Sequence, residues 1–258
     1  MRVCLLASGS RGNSALIEAD GCRLLIDAGL SGRETERRLA SLEMTGADLH
    51  AILVTHEHQD HVGGIGPLAR RYDLPVYIDR QTYAALPAIG TLARLELFSA
   101  GDRFACNGLT IESFSTTHDA VNPVGFVINS TEGKIGFATD LGLPTRLVAE
   151  QLKGCRVLVI EANHDEQMLW DGPYPWPIKQ RIRGRHGHLS NLETSQLVRD
   201  LCWPGLEALF LAHLSEENNC PNLVAELFSQ TLEDQGHRPQ VIIGNQHQAS
   251  SCFVGSLL

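Results

Sequence analysis

THEHQDH, residues 55–61, packs three histidines and two carboxylates into seven positions. Core packing gives no reason for this. Histidine and aspartate are poor core formers, and a buried charge is costly unless it is paired or bound to a metal ion. The stretch continues AILVT (51–55), a short apolar run that reads as a buried strand. The histidines therefore begin at the C-terminal end of a strand. In a tight turn there, His56 and His58 can place two imidazoles on one cation. Asp60 and His61 can turn toward a second. Imidazole with carboxylate suits zinc, manganese or iron. One isolated histidine would be read as a solvated loop residue. H-x-H-x-D-H behind a buried strand is a far more specific signal.

Working outward, the strand pattern recurs. VCLLA (3–7), CRLLID (22–27), LTIESFS (109–115), VGFVIN (124–129), KIGFATD (134–140), RVLVIEA (156–162), EALFLAHL (207–214) and QVIIG (240–244) are compact apolar runs bounded by turns. Between them lie helical patterns at SGRETERRLASL (31–42), SNLETSQLVRDL (190–201) and NLVAELFSQTLED (222–234). GGIGPLARRY reads as a Gly-loosened loop entering another helix. Ser190 and Glu193 have capping-box spacing, and Asn222 stands where a helix cap belongs. Strands in both halves with helices interspersed predict an αββα four-layer sandwich. Two mixed β-sheets would pack face to face with helices outside, in one domain over 1–258. The polar clusters fall just after strand ends, so one shared rim would gather them into a cleft.

Composition sets the frame. The chain has 258 residues, 43% hydrophobic and 20% charged, an ordinary globular mix. No apolar run reaches membrane-spanning length, and MRVCLLASGSRGNS is too short in its apolar part for a secretory signal. The seven cysteines are scattered without a C-x-x-C pair, which predicts reduced thiols in a cytoplasmic protein. The formal net charge of −9 argues against a protein that coats nucleic acid. It leaves room for an enzyme that recruits phosphate through metal ions and a few cations. Such cations stand in WDGPYPWPIKQRIRGRHGH (170–188), which reads as an irregular Pro-broken stretch. Arg181, Arg183 and Arg185 are its candidate backbone contacts. Ser8, Ser10, Asn13 and Ser14 lie in a Gly-rich turn that can aim N–H groups at phosphate or serve as a plain tight hairpin.

Two cations need more ligands than one loop supplies. His118, in STTHDA after the strand at 109–115, is a third imidazole for the first cation. Asp140, at the end of KIGFATD, has two oxygens and can bridge. His213, in LAHLSEEN, can complete the second. Taken singly, His118 is also a capped loop residue, Asp140 a turn former and His213 a satisfied core histidine.

The order LLIDAG, THEHQDH, TTHDA, ATD and LAHLS resembles the metallo-β-lactamase superfamily over almost the whole chain. ASGSRGNS (7–14), EANHD (161–165), GPYPWPIKQRI (172–182), GHLSN (187–191) and HLSEENN (213–219) look like its YycJ/WalJ-like group, DNA-processing exonucleases related to ribonuclease Z and the β-CASP nucleases. The resemblance implies phosphodiester hydrolysis by a dinuclear centre with a bridging hydroxide, on nucleic acid and foremost on DNA. It implies that Asp27 orients the His-rich loop from behind. It also implies that His188 donates a proton with Glu161 as its orienting partner, and that Asp60 counts among the catalytic groups. The chain has no room for the domain that β-CASP nucleases insert, and no clear equivalent of the ribonuclease Z arm. The alternative is a dinuclear-metal hydrolase of a small molecule: a thioester, lactone or cyclic phosphodiester. A non-enzymatic binding module fits poorly, because every ligand position is filled. Monomer and homodimer both stay open.

Overall fold

The computed structural model describes residues 1–255. The first sheet is built from β1 (Arg2–Ala7), β2 (Ser14–Ala19), β3 (Cys22–Ile26), β4 (Ala51–Leu53), β5 (Val76–Asp79) and β6 (Leu95–Phe98). The second is built from β7 (Arg103–Cys106), β8 (Leu109–Ser115), β9 (Val124–Ser130), β10 (Gly133–Ala138), β11 (Val157–Glu161), β12 (Ala208–Ala212) and β13 (Gln240–Ile243). The chain then returns as β14 (Phe253–Val254) to pair with β1. The spatial orders are β14-β1-β2-β3-β4-β5-β6 and β13-β12-β11-β10-β9-β8-β7. Each sheet runs antiparallel first and parallel later: β3 through β6 in one, β10 through β13 in the other.

Alternation along the strands explains the layering. In β11, Val157 and Val159 point between the sheets, and Leu158 and Ile160 point outward under helices. In β3, Leu24 and Ile26 face inward, and Leu25 faces the helices of its own sheet. Strands buried on both faces need apolar residues at every position, which is why they read as continuous runs. Helices α1 (Gly32–Ala40), α2 (Gln59–Val62), α3 (Ile65–Tyr72) and α4 (Arg80–Ala85) belong to the first half. Helices α5 (Arg146–Leu152), α6 (Glu166–Asp171), α7 (Trp176–Ile182), α8 (Asn191–Leu201) and α9 (Pro221–Asp234) belong to the second. Leu39, Ile65 and Leu68 seal the outer face of the first sheet; Val148, Val198, Phe228 and Leu232 seal that of the second. The four-layer αββα sandwich expected from the sequence is the observed architecture.

Several local expectations are corrected. The strands β2, β5, β6, β7 and β14 are not among those read from the sequence. The stretch 170–188 is not irregular throughout, because it carries α7, whose prolines sit at the helix start where a missing N–H costs nothing. Asn222 lies inside α9, and Cys220 occupies the cap position. The Ser190–Glu193 capping box is present. The expectation of seven reduced thiols fails at one pair: Cys4 and Cys252 form a disulfide, with Cα atoms 4.5 Å apart. The other five are free.

Three segments are woven together behind the His-rich loop. Asn13 N–H donates to Asp60 O at 2.7 Å, Ala28 N–H to His61 O at 2.8 Å, and Gly64 N–H to Ala28 O at 2.7 Å. Gly29 lies so close that an added Cβ would overlap the Asp60 carbonyl. Gly29→Ala must therefore push the loop away. Such overpacking costs about 1–3 kcal/mol. The variant is expected to fold with a lowered melting temperature and weakened divalent-cation binding, measured by thermal melts and metal titration. Wild-type cation affinity would show that this close approach does not set the loop.

Candidate metal centre

Most of the candidate site side chains sit at the ends of the parallel strands, along one rim. Asp27 follows β3, His56 to His61 follow β4, Asp140 follows β10, Glu161 closes β11 and His213 follows β12. Asp27, Asp140 and His213 have φ of 59°, 56° and 56°, left-handed backbone that non-glycine residues seldom adopt. Each turns the chain sharply at a strand end.

Among the described residues four groups of ligand atoms come within 4.8 Å of one another: His56, His58 and His118; Asp60, His61 and His213; His56, His61 and Asp140; and Asp140, Glu161, His188 and His213. Asp140 stands between the first two. Its Oδ1 is 3.7 Å from His118 Nε2 and 3.5 Å from His213 Nε2, and its Oδ2 is 3.4 Å from His61 Nε2. Asp60 Oδ2 lies 3.5 Å from His61 Nε2 and 3.8 Å from His213 Nε2.

Each imidazole is held from behind, which decides the nitrogen it presents. Asp27 accepts from Thr55 N–H at 2.8 Å, from the Thr55 hydroxyl at 2.7 Å, and from His61 Nδ1 at 2.7 Å. Thr55 Oγ1 in turn lies 2.9 Å from His56 Nδ1, so one carboxylate governs two histidines. His118 Nδ1 donates to Gly187 O at 3.0 Å, and His58 Nε2 lies 3.3 Å from Asp119 O. Glu161 is fully buried. Its Oε1 accepts from His188 Nδ1 at 2.7 Å and His213 Nδ1 at 3.1 Å; its Oε2 accepts from Leu141 N–H at 2.9 Å and Leu189 N–H at 3.1 Å. A carboxylate only accepts, so both imidazoles carry their protons on Nδ1. Burial alone would raise the Glu161 pKa, but the His188 charge and the bonds from His188 and His213 hold it well below the usual carboxylate range.

The donor set fits divalent cations. Asp140 Oδ2 and His213 Nε2 are buried without a hydrogen-bond partner among the described residues, a costly state that a cation between them relieves. The ionic partners of Asp27, Asp60, Asp140 and Glu161 are histidines. Burial disfavours the His61 imidazolium, yet Asp140, Asp27 and Asp60 outweigh it and push the pKa up to about 9. Burial beside other histidines drives His56 the opposite way, well below its ordinary value. Protons thus partly balance the acidic cluster, and metal ions would displace them.

His188, 19% exposed at its side chain, faces a pocket of about 350 Å³ lined by Asp119, Tyr174, Ile178, Arg181, Ile182 and Gly187. Arg181 bonds Asp119 Oδ2 through Nε and Nη2, each at 2.5 Å. Arg183 and Arg185 are exposed nearby in sequence, and Ser10 is exposed on its turn. Asn13 is buried, and its amide serves the scaffold: Nδ2 is 3.0 Å from Gly9 O, 3.1 Å from Asp60 Oδ2 and 3.0 Å from His61 Nε2. Ser8 Oγ accepts from His213 N–H at 2.6 Å. Sequence reasoning missed Thr55, Asn163 and Asn219. Asn163 Nδ2 donates to His213 O at 2.9 Å, and Asn219 Nδ2 donates to Asn163 O at 2.9 Å. His164 is buried, with its pKa pushed down to about 4 by that burial, and His247 is an exposed partner of Glu216 at 2.8 Å.

Residues 22–213 match the β-lactamase superfamily domain. The chain belongs to the metallo-β-lactamase superfamily. Within it, the chain is 40% identical to the exodeoxyribonuclease YycJ of Bacillus anthracis, over 90% of this chain and 89% of that protein. It is 36% identical to the exodeoxyribonuclease WalJ of Streptococcus pneumoniae serotype 2, over 90% of this chain and 86% of that one. The metallo-β-lactamase fold protein YhfI from Bacillus subtilis superposes with a TM-score of 0.71, covering 96% of this chain and 98% of its own at 16% identity, which shows the shared superfamily fold.

Thr55 gives the centre a specific test. Thr55→Val keeps the side-chain shape and removes the hydroxyl between Asp27 and His56. Loss of such an outer partner typically weakens metal binding about 10–100-fold. That loss is expected in a competition titration against a chelating dye, with the melting temperature little changed. Undiminished affinity would show that His56 is oriented without Thr55.

Proposed function

We propose that the protein is a metal-dependent exonuclease that hydrolyses phosphodiester bonds in DNA, using two divalent ions, zinc or manganese. His56, His58 and His118 would hold one ion, Asp60, His61 and His213 the other, with Asp140 shared. The observation that carries this reading is the His188–Glu161 pair set beside the ligand cluster. His188 Nδ1 is 2.7 Å from Glu161 and 3.9 Å from Asp140 Oδ1. Its outward nitrogen opens on the pocket beside Arg181.

When bound, such ions lower the pKa of water and absorb charge developing on a phosphate. The chain's own groups do the rest. Glu161 fixes the tautomer of His188 and balances its imidazolium, so Nε2 can hand a proton to the departing sugar oxygen. The same carboxylate holds His213, which ties the proton donor rigidly to the ligand set. Asp119 and Arg181 form the wall against which a terminal nucleotide would lie. Four of the chain's 21 Lys and Arg residues, Lys179, Arg181, Arg183 and Arg185, fall within seven positions beside this pocket. Two relatives named exodeoxyribonucleases support DNA over RNA. Among the described residues no helix is long and apolar enough to cross a membrane. The five free cysteines support a cytoplasmic site of action, with the Cys4–Cys252 pair as the exception.

The deciding assay follows metal-loaded protein on end-labelled single- and double-stranded DNA and RNA, with a thioester as control. Stepwise release of nucleotides from DNA is expected. Thioester turnover with no nucleic acid cleaved under zinc or manganese would overturn the reading. His188→Ala is expected to lower kcat on DNA by about 10²–10⁴-fold with metal content retained. A variant that keeps wild-type kcat removes His188 from proton transfer. Replacing Arg183 and Arg185 by Ala should flatten the salt dependence of DNA binding, by about 0.7–0.9 in log–log slope for each phosphate that is no longer neutralised. An unchanged slope would mean that these two arginines touch no phosphate.

A further inference from the structure

The helix α7 is unusual in that none of its residues is buried. Its two sides differ. Ile178, Arg181 and Ile182 line the pocket that contains His188. Trp176, Lys179, Gln180 and Arg183, spaced as one helical face, line a second pocket of about 340 Å³ with Leu169 and Trp170 of α6. Trp170 and Trp176 are 54% and 50% exposed. Their ring centroids are 5.4 Å apart, with planes at 87°. The Lys179 ammonium donates to Trp170 O at 2.6 Å, which pins the two helices together and keeps a positive charge beside the rings.

We infer that this Trp170–Trp176 pocket binds an unpaired base of the DNA strand by stacking. The inference rests on the exonuclease reading. Edge-to-face rings suit such a guest, because a base can lie flat on one ring while the other closes its edge. Lys179 and Arg183 stand ready for the flanking phosphates, a combination of stacking platform and cationic track that suits single strands. Charge complementarity selects the occupant: the chain carries a net charge of −9, yet Lys179, Arg181, Arg183 and Arg185 concentrate in the second half of this helix and just past its end. Position agrees. Residues of α7 line both pockets, and its seven residues span about 10 Å at ~1.5 Å per residue. Bases inside a duplex are already stacked on each other and cannot enter.

The test uses the metal-loaded full chain and a fluorescein-labelled phosphorothioate oligothymidylate, read by anisotropy. The double variant Trp170→Ala/Trp176→Ala is expected to lose roughly tenfold to a hundredfold in affinity for the single strand. Trp170→Phe/Trp176→Phe should recover most of it, because phenylalanine still stacks. Both variants should bind a blunt duplex as the wild type does. The oligonucleotide should also quench the tryptophan fluorescence of the wild type, and Arg183→Glu should weaken its binding. These last two measurements hold even where the alanine pair fails to fold. If the alanine pair binds the single strand normally while the wild type degrades DNA, the base pocket is wrong and the nuclease reading stands. Unquenched fluorescence together with unweakened binding by Arg183→Glu has the same meaning. If the alanine pair changes only self-association or the capture of another protein, the face is a protein seat and the inference falls. If the wild type neither binds nor cleaves nucleic acid, both fall together.

Discussion

Three carboxylates, Asp27, Asp140 and Glu161, are almost completely buried at the ends of parallel strands. The rest of the site depends on them. A buried carboxylate is tolerable only with donors or cations around it. Here the donors are imidazoles, backbone N–H groups and the Thr55 hydroxyl. Asp27 takes Nδ1 of His61 directly and reaches His56 through Thr55. Glu161 takes Nδ1 of both His188 and His213. The opposite nitrogens of His56, His61 and His213 are thereby left for the shared space around Asp140. The αL conformations of Asp27, Asp140 and His213 each cost about 1–3 kcal/mol. The woven backbone and these buried bonds hold them in place.

The two sheets repeat one plan, an antiparallel run followed by parallel strands. Packed face to face, they bring the parallel ends of both to the same rim. The first sheet contributes Asp27 and the His-rich loop, and the second contributes Asp140, Glu161 and His213. The groups His56–His58–His118 and Asp60–His61–His213 each draw on both halves. The turn after β1 joins them, since Ser8 binds the backbone of His213 and Asn13 the loop at Asp60. A Gly-rich turn with two ways to be read thus proves to be a brace between the halves.

The candidate ligand set was legible because its first members are contiguous at one strand end and the others follow apolar runs elsewhere. Double-sided burial leaves little ambiguity in strands such as VLVIE, so the sandwich was readable too. What stayed hidden has physical reasons. Strands β5, β6 and β7 are only four residues each, and β6 is largely exposed, too short and too mixed to show a period. Prolines disguised α7, although they stand where a helix accepts them. Thr55 ends a strand and looks like an ordinary β-branched residue; only its position between Asp27 and His56 shows its role. Asn163 and Asn219 meet across 56 residues, and Cys4 and Cys252 across 248, separations that no local pattern encodes.

The central claim is that this acidic, histidine-lined rim holds two cations and needs both for hydrolysis. The direct measurement is a titration of chelator-stripped protein with Mn²⁺, followed by calorimetry and by cleavage of end-labelled DNA in parallel. Binding is expected to saturate near two ions per chain, with cleavage rising only as the second site fills, as a two-ion centre requires. Saturation at a single ion with full cleavage would contradict the account.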